Sequence, residues 1–262
     1  MPRFKLTVEF AGTRYSGWQK QANARTVQGE LERAIRDGLG DVLVDCQGAG
    51  RTDAGVHALA QVAHVDLVRA PAPELLRRRI NDELPADVHV LELVPVSRRF
   101  HARHAALRRS YVYQVSRRRT ALAKPYVWWV REPLDLARLQ AAAAAFVGRH
   151  DFRAFTDDDP DEKSSIVVLD EVTVAEAGPL VLVRVAGSHF LWKMVRRMIG
   201  VLVAVAAGEL PAAVVAGWLA DPRQAGGEPA RRTAPAAGLF LERVFYEGDA
   251  WPEPLRAPLG IR

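Results

Sequence analysis

The chain of 262 residues contains a single cysteine, Cys46, so no disulfide can form within it. Cysteine and histidine are not grouped at the spacing of metal ligands, and we therefore expect a reducing compartment and no structural metal. The longest apolar run, from Met198 to Gly208, is far shorter than the ~20 residues that span a bilayer. No charged segment followed by an apolar one opens the sequence, as it would in a secretory signal. We therefore expect a cytoplasmic protein with no membrane partner.

Arginine is abundant in this chain, and it occurs in clusters. Lysine and arginine number 36 against 31 aspartates and glutamates, for a formal charge of +5. The arginine clusters lie at residues 77–79, 108–109, 117–119, 196–197 and 231–232. Clustered guanidinium groups pair with phosphates and release condensed counterions, which favours a nucleic acid as the partner. The alternative is that arginine replaces lysine throughout, as in proteins of GC-rich genomes, and the alanine-rich composition fits that alternative too.

The apolar periodicity of the first half predicts six elements in the order β-α-β-β-α-β. Strands are predicted at residues 4–12, 41–50, 59–68 and 87–96, and helices at residues 26–39 and 72–84. Thr26 is a candidate N-cap for the first helix, where Val27, Leu31, Ile35 and Leu39 recur at helical spacing. The second helix ends before Pro85 because proline disfavours helix in the residue that precedes it.

The second half repeats the same order of elements. Strands are predicted at residues 108–117, 165–177, 180–189 and 239–248, and helices at 134–148 and 191–208. The sequence therefore predicts an α+β protein of two ferredoxin-like units, each with an antiparallel sheet and helices on one face. We expect one domain over residues 1–104 and a second over residues 105–262, which carries long loops and an extended tail.

Three segments do not fit a core: the acidic stretch 150–165, the Pro/Gly/Ala-rich stretch 219–238 and the tail 249–262. The first is interpreted as a mobile loop, and the second as an excursion between the last helix and the last strand. Loops of this length in a compact fold tend to carry function.

The turn Gly50-Arg51-Thr52-Asp53-Ala54-Gly55 joins two predicted strands of the first half. On spacing alone it is first a turn, because aspartate satisfies nearby backbone donors and glycine tolerates positive φ. The stretch around it, residues 48–66, nevertheless closely resembles the active-site segment of the TruA family of tRNA pseudouridine synthases. Further matches to that family follow in its order and at its spacing, at residues 10–21, 26–35, 81–90, 98–115, 150–155, 187–200 and 233–246.

The resemblance implies the residues of an active site. The family's catalytic aspartate falls on Asp53, its nearby arginine on Arg51, its stacking tyrosine on Tyr111 and its aspartate-pairing arginine on Arg196. It also implies uridines 38–40 of the anticodon arm as targets, an RNA cleft between the domains, no cofactor and no metal, and a homodimer in which tRNA spans both subunits. The chain departs from the family at residues 162–165, which lack an expected arginine, and at Trp192 and Lys193. These departures concern the positioning of RNA rather than the catalytic set.

Each role has a simpler alternative. Arg196 without the resemblance is a solvated helix arginine, and Tyr111 a half-buried strand tyrosine for which Tyr113, on the same face, is a competitor. Arg51 either helps to hold the target nucleotide out of the stack or contacts a phosphate.

Three further residues complete the predicted substrate-binding set. His57 either stabilises the turn or touches RNA. Trp18 is predicted to anchor an RNA-binding loop, with Lys20 near a phosphate.

Two other functions remain open from the sequence. A non-catalytic RNA-binding protein of RRM-like sheets would carry an aromatic Lys/Arg-Gly-Phe type signature, which this chain lacks. A metal-dependent nuclease or phosphotransferase would use Asp53 together with the acidic residues 157–162. Consecutive acidic residues have poor geometry for a defined metal site, and a solvated loop explains them better.

Overall fold

The computed structural model describes residues 1–40, 42–159, 164–251 and 254–261. The chain forms two compact units, one of Met1–Leu107 with Phe240–Ala250, the other of Arg108–Leu239 with Trp251–Arg262. The sequence placed the whole stretch 105–262 in one domain, whereas residues 240–250 cluster with the first unit. The physical reason is strand pairing, since Phe240 and Leu241 pair in parallel with His57 and Ala58.

The first unit contains both helices and all four strands that the first half predicts. They are β1 (Arg3–Phe10), α1 (Val27–Leu39), β2 (Leu43–Gly48), β3 (His57–Leu67), α2 (Pro73–Glu83) and β4 (Val88–Val96). Within this unit the strands run in the order β4, β1, β3, with β2 also paired to β3, and all of these pairs are antiparallel. The last strand of the chain, β10 (Leu239–Phe245), adds the parallel pair with β3.

The helices of the first unit form where the sequence predicts them. The Thr26 side chain caps α1 by accepting a hydrogen bond from the Gly29 N–H. Leu31 and Ile35, one turn apart, are fully buried, and so are Leu76 and Ile80 of α2. The two helices pack against each other, so each buries the apolar stripe that its periodicity indicated.

The second unit is also a mixture of helices and antiparallel strands. Its elements are β5 (Arg108–Ser116), β6 (Trp128–Trp129), α3 (Leu136–Ala144), β7 (Gly148–Asp151), β8 (Ile166–Ala177), β9 (Leu180–Gly187), α4 (Met194–Ala206), α5 (Val214–Ala220) and α6 (Glu228–Arg231). The strands run in the order β5, β9, β8, β7, all antiparallel, and β6 pairs in parallel with β5. The α+β class is therefore confirmed.

The acidic stretch 150–165 differs from its prediction as a mobile loop. Its start belongs to β7, and a 3-10 turn follows at Arg153–Phe155. Phe152 and Phe155 are fully buried and pack with Phe146. Acidic residues dominate the composition of this stretch, so the sequence does not predict the anchor. Residues 160–163 lie outside the described part of the chain.

Described residues of the tail contact the second unit. Leu255, Ala257 and Ile261 pack against a buried cluster formed by Val127, Leu180 and Leu182. Within the described ranges, no helix is both long and apolar enough to cross a membrane.

Candidate active site

Asp53 lies on the turn between β2 and β3, where the sequence placed it. The Val56 N–H closes the turn by donating to the Asp53 carbonyl oxygen at 3.2 Å. Asp53 is half-buried, whereas Arg51, two residues earlier, is exposed. Among the residues that the structure describes, the Arg51 guanidinium has no carboxylate within ion-pair distance. Arg51 is therefore a cation available to an external anion beside the turn.

A second loop, residues 11–18, binds this turn through backbone hydrogen bonds. The Trp18 N–H donates to the Thr52 carbonyl oxygen at 3.3 Å, and the Gly55 N–H donates to the Tyr15 carbonyl oxygen at 3.2 Å. Gly17 has φ +93°, and a Cβ built on it would lie 2.4 Å from the Thr52 carbonyl oxygen. Only glycine meets both requirements, so this loop fixes the backbone on either side of Asp53.

Trp18 was predicted to anchor an RNA-binding loop, and His57 either to stabilise the turn or to touch RNA; the structure places both side chains in the interior. Each is 1% exposed. The Trp18 ring packs near Phe10 and against Gly48, where a Cβ would lie 2.3 Å from the indole nitrogen. His57 stacks on Phe240, with ring centroids 4.8 Å apart, and its Nδ1 accepts a hydrogen bond from the Gly12 N–H at 3.0 Å. Both side chains therefore pack beneath the Asp53 turn and stabilise it. For His57, this is one of the two roles that the sequence left open.

Lys20 lies on the surface, as predicted, but it has a partner within the chain. Its Nζ lies 2.6 Å from the Glu32 carboxylate of α1, and its side chain is 52% exposed. The Glu32 side chain is only 11% exposed and also accepts a hydrogen bond from the Gln28 amide at 3.0 Å. A phosphate contact by Lys20 would replace its pair with Glu32 and leave that carboxylate with the Gln28 contact.

Substituting Gly17 tests whether the second loop positions Asp53. We expect Gly17→Ala to reduce activity about tenfold or more, because the new methyl group displaces the Thr52 carbonyl and shifts the neighbouring Asp53. Gly40→Ala is the matched control: Gly40 also has positive φ, +78°, but nothing lies within 4 Å of a Cβ there. Both variants place alanine at a positive φ, which costs about 1 to 3 kcal/mol of backbone strain, measurable by thermal unfolding. Equal activity of the two variants would contradict a positioning role for the loop.

The start of α4 in the second unit is held by the first residues of the acidic stretch. The Asp157 carboxylate pairs with Lys193 Nζ at 2.8 Å and with the buried Arg197 guanidinium. These cations lower the pKa of Asp157, the Lys193 hydrogen bond contributing most. Asp158 accepts a hydrogen bond from the Trp192 N–H at 2.9 Å. Asp157 and Asp158 thus fasten the helix that carries Arg196, rather than forming a solvated loop.

Asp157 therefore has two basic partners, and Asp158 accepts from a backbone N–H. Throughout the described ranges, no group of three or more histidine, cysteine, aspartate or glutamate residues is arranged to hold a metal ion. The remaining acidic positions of that prediction, 161 and 162, lie outside those ranges.

Arg196 lies in the first turns of α4 and is half-buried. Its Nε donates to the Ala234 carbonyl oxygen at 2.8 Å, and the Ala234 N–H donates back to the Arg196 carbonyl oxygen at 3.0 Å. The side chain is therefore not the solvated helix arginine of the simpler alternative. It is a guanidinium oriented by the segment 232–238, to which the sequence assigned no role.

Tyr111 and Tyr113 of β5 have different surroundings. Tyr111 is 9% exposed and meets Phe190 edge to face, with ring centroids 4.9 Å apart. Tyr113 is fully buried, and its hydroxyl donates to the Pro235 carbonyl oxygen at 2.7 Å. Since Tyr113 has no exposed surface to offer a base, Tyr111 is the better candidate for stacking.

The structure thus assembles the predicted residues in two groups, each within its own unit. Asp53 and Arg51 share the turn of the first unit, with Trp18 and His57 beneath it. Tyr111 and Arg196 belong to the second unit. The supporting roles of Gly17 and Ala234 were missed, since small residues carry no chemical signal in a single sequence.

Comparison with known proteins adds a direct indication of function. The chain matches a family model described as "tRNA pseudouridine synthase" over residues 6–104 and 142–247. It is 44% identical over 251 residues to "tRNA pseudouridine synthase A" of Nitrobacter hamburgensis, covering 94% of this chain and 100% of that protein. The protein of the same name from Agrobacterium fabrum is 41% identical over 264 residues, covering 98% of this chain and 97% of the relative.

The chain is also weakly similar to a solved structure. An archaeal box H/ACA sRNP Nop10-Cbf5 complex aligns with a TM-score of 0.36 and 13% identity, covering 78% of this chain and 44% of that one. So low a score supports no argument about this protein.

Proposed function

Because this chain belongs to the tRNA pseudouridine synthase family, whose members are isomerases, we propose that it converts uridine to pseudouridine in the anticodon stem-loop of tRNA, at positions 38–40. The Asp53 carboxylate is the essential catalytic group, and no cofactor takes part. The match to curated relatives over at least 94% of the chain carries the proposal. The half-buried Asp53 turn, with exposed Arg51 beside it, supports the choice of residues.

The reaction needs few chemical groups. The bond between N1 of uracil and C1′ of ribose breaks, the base rotates, C5 bonds to C1′, the proton on C5 is lost, and N1 takes up a proton. One proton is therefore released and one taken up, the product is an isomer of the substrate, and no oxidant, reductant or transferred group is needed. A carboxylate is suited to both halves, since it can attack or stabilise the sugar carbon, or add to the base, and later accept the proton. The proposal leaves open which of these routes Asp53 takes.

The other residues of the proposed site bind and orient. Arg51, exposed and without an internal ion pair in the described chain, helps to hold the target nucleotide out of the helix or contacts its phosphate. Tyr111 stacks on the uracil. Arg196 pairs with Asp53 in a bidentate arrangement that orients the carboxylate and favours its charged form. This pairing joins residues of two compact units and is supported by the family resemblance alone.

The proposal has architectural parts as well. Two ferredoxin-like units follow from the order of the predicted elements, and a cytoplasmic location from the short apolar runs. The RNA cleft and a homodimer whose bound tRNA spans both subunits follow from the family resemblance. The clustered arginines, including positions 108–109 and 231–232, supply positive charge that can pair with the phosphates of tRNA.

Release of tritium from tRNA labelled at C5 of uridine tests the function directly. We expect the purified protein, in the presence of a chelator, to release label from a transcript with uridines at positions 38–40. A transcript with cytidine at those three positions is the matched control and should release none. Undiminished release from the control would place the reaction elsewhere in tRNA. Strand cleavage that depends on added Mg²⁺ would favour the nuclease instead.

A further inference from the structure

The segment 232–238 is built around contacts to α4 and β5, all within the second unit. Gly200 of α4 lets it approach, since a Cβ there would lie 1.6 Å from the Arg232 carbonyl oxygen. At its other end, a Cβ on Gly238 would lie 2.6 Å from the Tyr113 ring. Between these points Ala234 exchanges two hydrogen bonds with Arg196, and Pro235 accepts one from Tyr113. The segment is thus fixed on both sides of Ala234.

The hydrogen bond to Ala234 limits the directions from which a carboxylate can bind Arg196. A guanidinium binds a carboxylate in a bidentate manner either through Nε and one Nη, or through both Nη atoms. The Ala234 carbonyl oxygen already takes the Nε proton, at 2.8 Å. A bidentate partner of Arg196 must therefore approach end-on, along the direction that the plane of the guanidinium sets. That plane depends on where the Ala234 carbonyl is held.

We propose that Tyr113 is a positioning residue for Arg196. Its hydroxyl fixes the Pro235 carbonyl and, through the adjoining peptide, the Ala234 carbonyl that orients the guanidinium. Tyr113 itself touches neither substrate nor reacting atoms. The inference rests on the proposed function, because only there does the direction of Arg196 have a catalytic consequence.

The chemistry of the buried hydroxyl suits this role. Burial raises the pKa of Tyr113 well above its usual value, and the nearby Arg196 charge opposes this only in part. The hydroxyl therefore remains protonated and keeps donating to Pro235 at every pH at which the enzyme would be assayed. The ring packs edge to face with Trp128 and lies against Gly238, so removal of the oxygen alone leaves the packing in place.

Tyr113→Phe is the test, with kcat and KM measured by tritium release under single-turnover and steady-state conditions. We expect kcat to fall about tenfold, because a small misdirection of Arg196 affects the transition state, while KM for tRNA stays within about twofold. Tyr246→Phe is the matched control, since its hydroxyl also donates to a backbone carbonyl, that of Ala102, at 2.7 Å. The control should show a similar shift in thermal unfolding with unchanged kcat.

A double variant separates positioning from a purely structural effect. Arg196→Lys retains the charge but lacks the Nε–H that Ala234 holds, so adding Tyr113→Phe to it should lower kcat no further. Unchanged kcat in Tyr113→Phe would overturn the inference. The same fractional loss in both backgrounds would overturn it too, since Tyr113 would then act by another route.

Different variants test the proposed function and the role of Tyr113, so the two can fail independently. If Asp53→Ala loses activity while Tyr113→Phe keeps it, the function stands and this inference fails. If wild-type protein releases no label from tRNA, the proposed function itself fails.

Discussion

Asp53→Ala is expected to lower tritium release from tRNA by at least about 10³-fold while leaving tRNA binding intact. The carboxylate is the only group of the proposed site that can both engage the sugar or base and accept the C5 proton. Its removal takes away one negative charge from a surface that meets phosphates, so affinity should stay the same or rise slightly. Single-turnover release at saturating enzyme measures the chemistry, and filter binding at fixed salt measures the affinity.

Asp37→Ala is the matched control for Asp53→Ala. Asp37 is a carboxylate of the same unit, exposed on α1 and paired with Arg33 in an i,i+4 arrangement. Its removal changes the net charge equally and should leave release unchanged. Equal release by wild type and Asp53→Ala would refute the assignment of Asp53. A loss of release with a parallel loss of folded protein, seen by circular dichroism, would instead assign Asp53 a structural role.

The elements of the first unit could be predicted because their signals are local. The Thr26 cap and the apolar spacing of Leu31 and Ile35 specify α1 without reference to the rest of the chain. Local signals did not predict the pairing partner of the last strand. Its alternation predicted a strand at residues 239–248, but pairing of Phe240 with His57 is a long-range contact that no periodicity encodes.

The resemblance to a known family could predict the side chains of the candidate site. It could not predict the backbone contacts that hold those side chains in place. The sequence of residues 11–20 is rich in polar and aromatic groups, which is typical of an RNA-binding loop. The structure instead buries Trp18 and turns the loop toward the Asp53 turn, through backbone bonds whose donors and acceptors every residue has. Likewise, Ala234 orients Arg196 through its carbonyl oxygen, an atom that residue identity does not reveal.

The acidic stretch illustrates how local composition misleads. Asp157 and Asp158 suggested a solvated loop, but each has a specific partner at the start of α4. The phenylalanines just before them carry the information, because Phe152 and Phe155 are anchored in the core. In this chain the buried phenylalanines anchor the segment, and the two aspartates that follow them bind the start of α4.

Arg196→Ala is expected to reduce kcat by about 10² to 10³-fold with little change in KM. In the proposed site its guanidinium orients Asp53 and favours the charged form of the carboxylate, and alanine does neither. Arg196→Lys should lie between the two, because it keeps the charge but not the planar fork. The measurement is single-turnover tritium release across pH 6 to 8 for each variant.

The control for Arg196→Ala must remove the same charge without touching the site. Arg223→Ala does so, since the Arg223 side chain is 91% exposed and pairs only with Asp221 among the described carboxylates. If Arg196 acts merely by attracting RNA, both variants raise KM alike and spare kcat. If it orients Asp53, only Arg196→Ala lowers kcat. Full turnover in Arg196→Ala would remove the pairing from the mechanism, and Asp53 would then have to be oriented by the turn and by the loop beneath it.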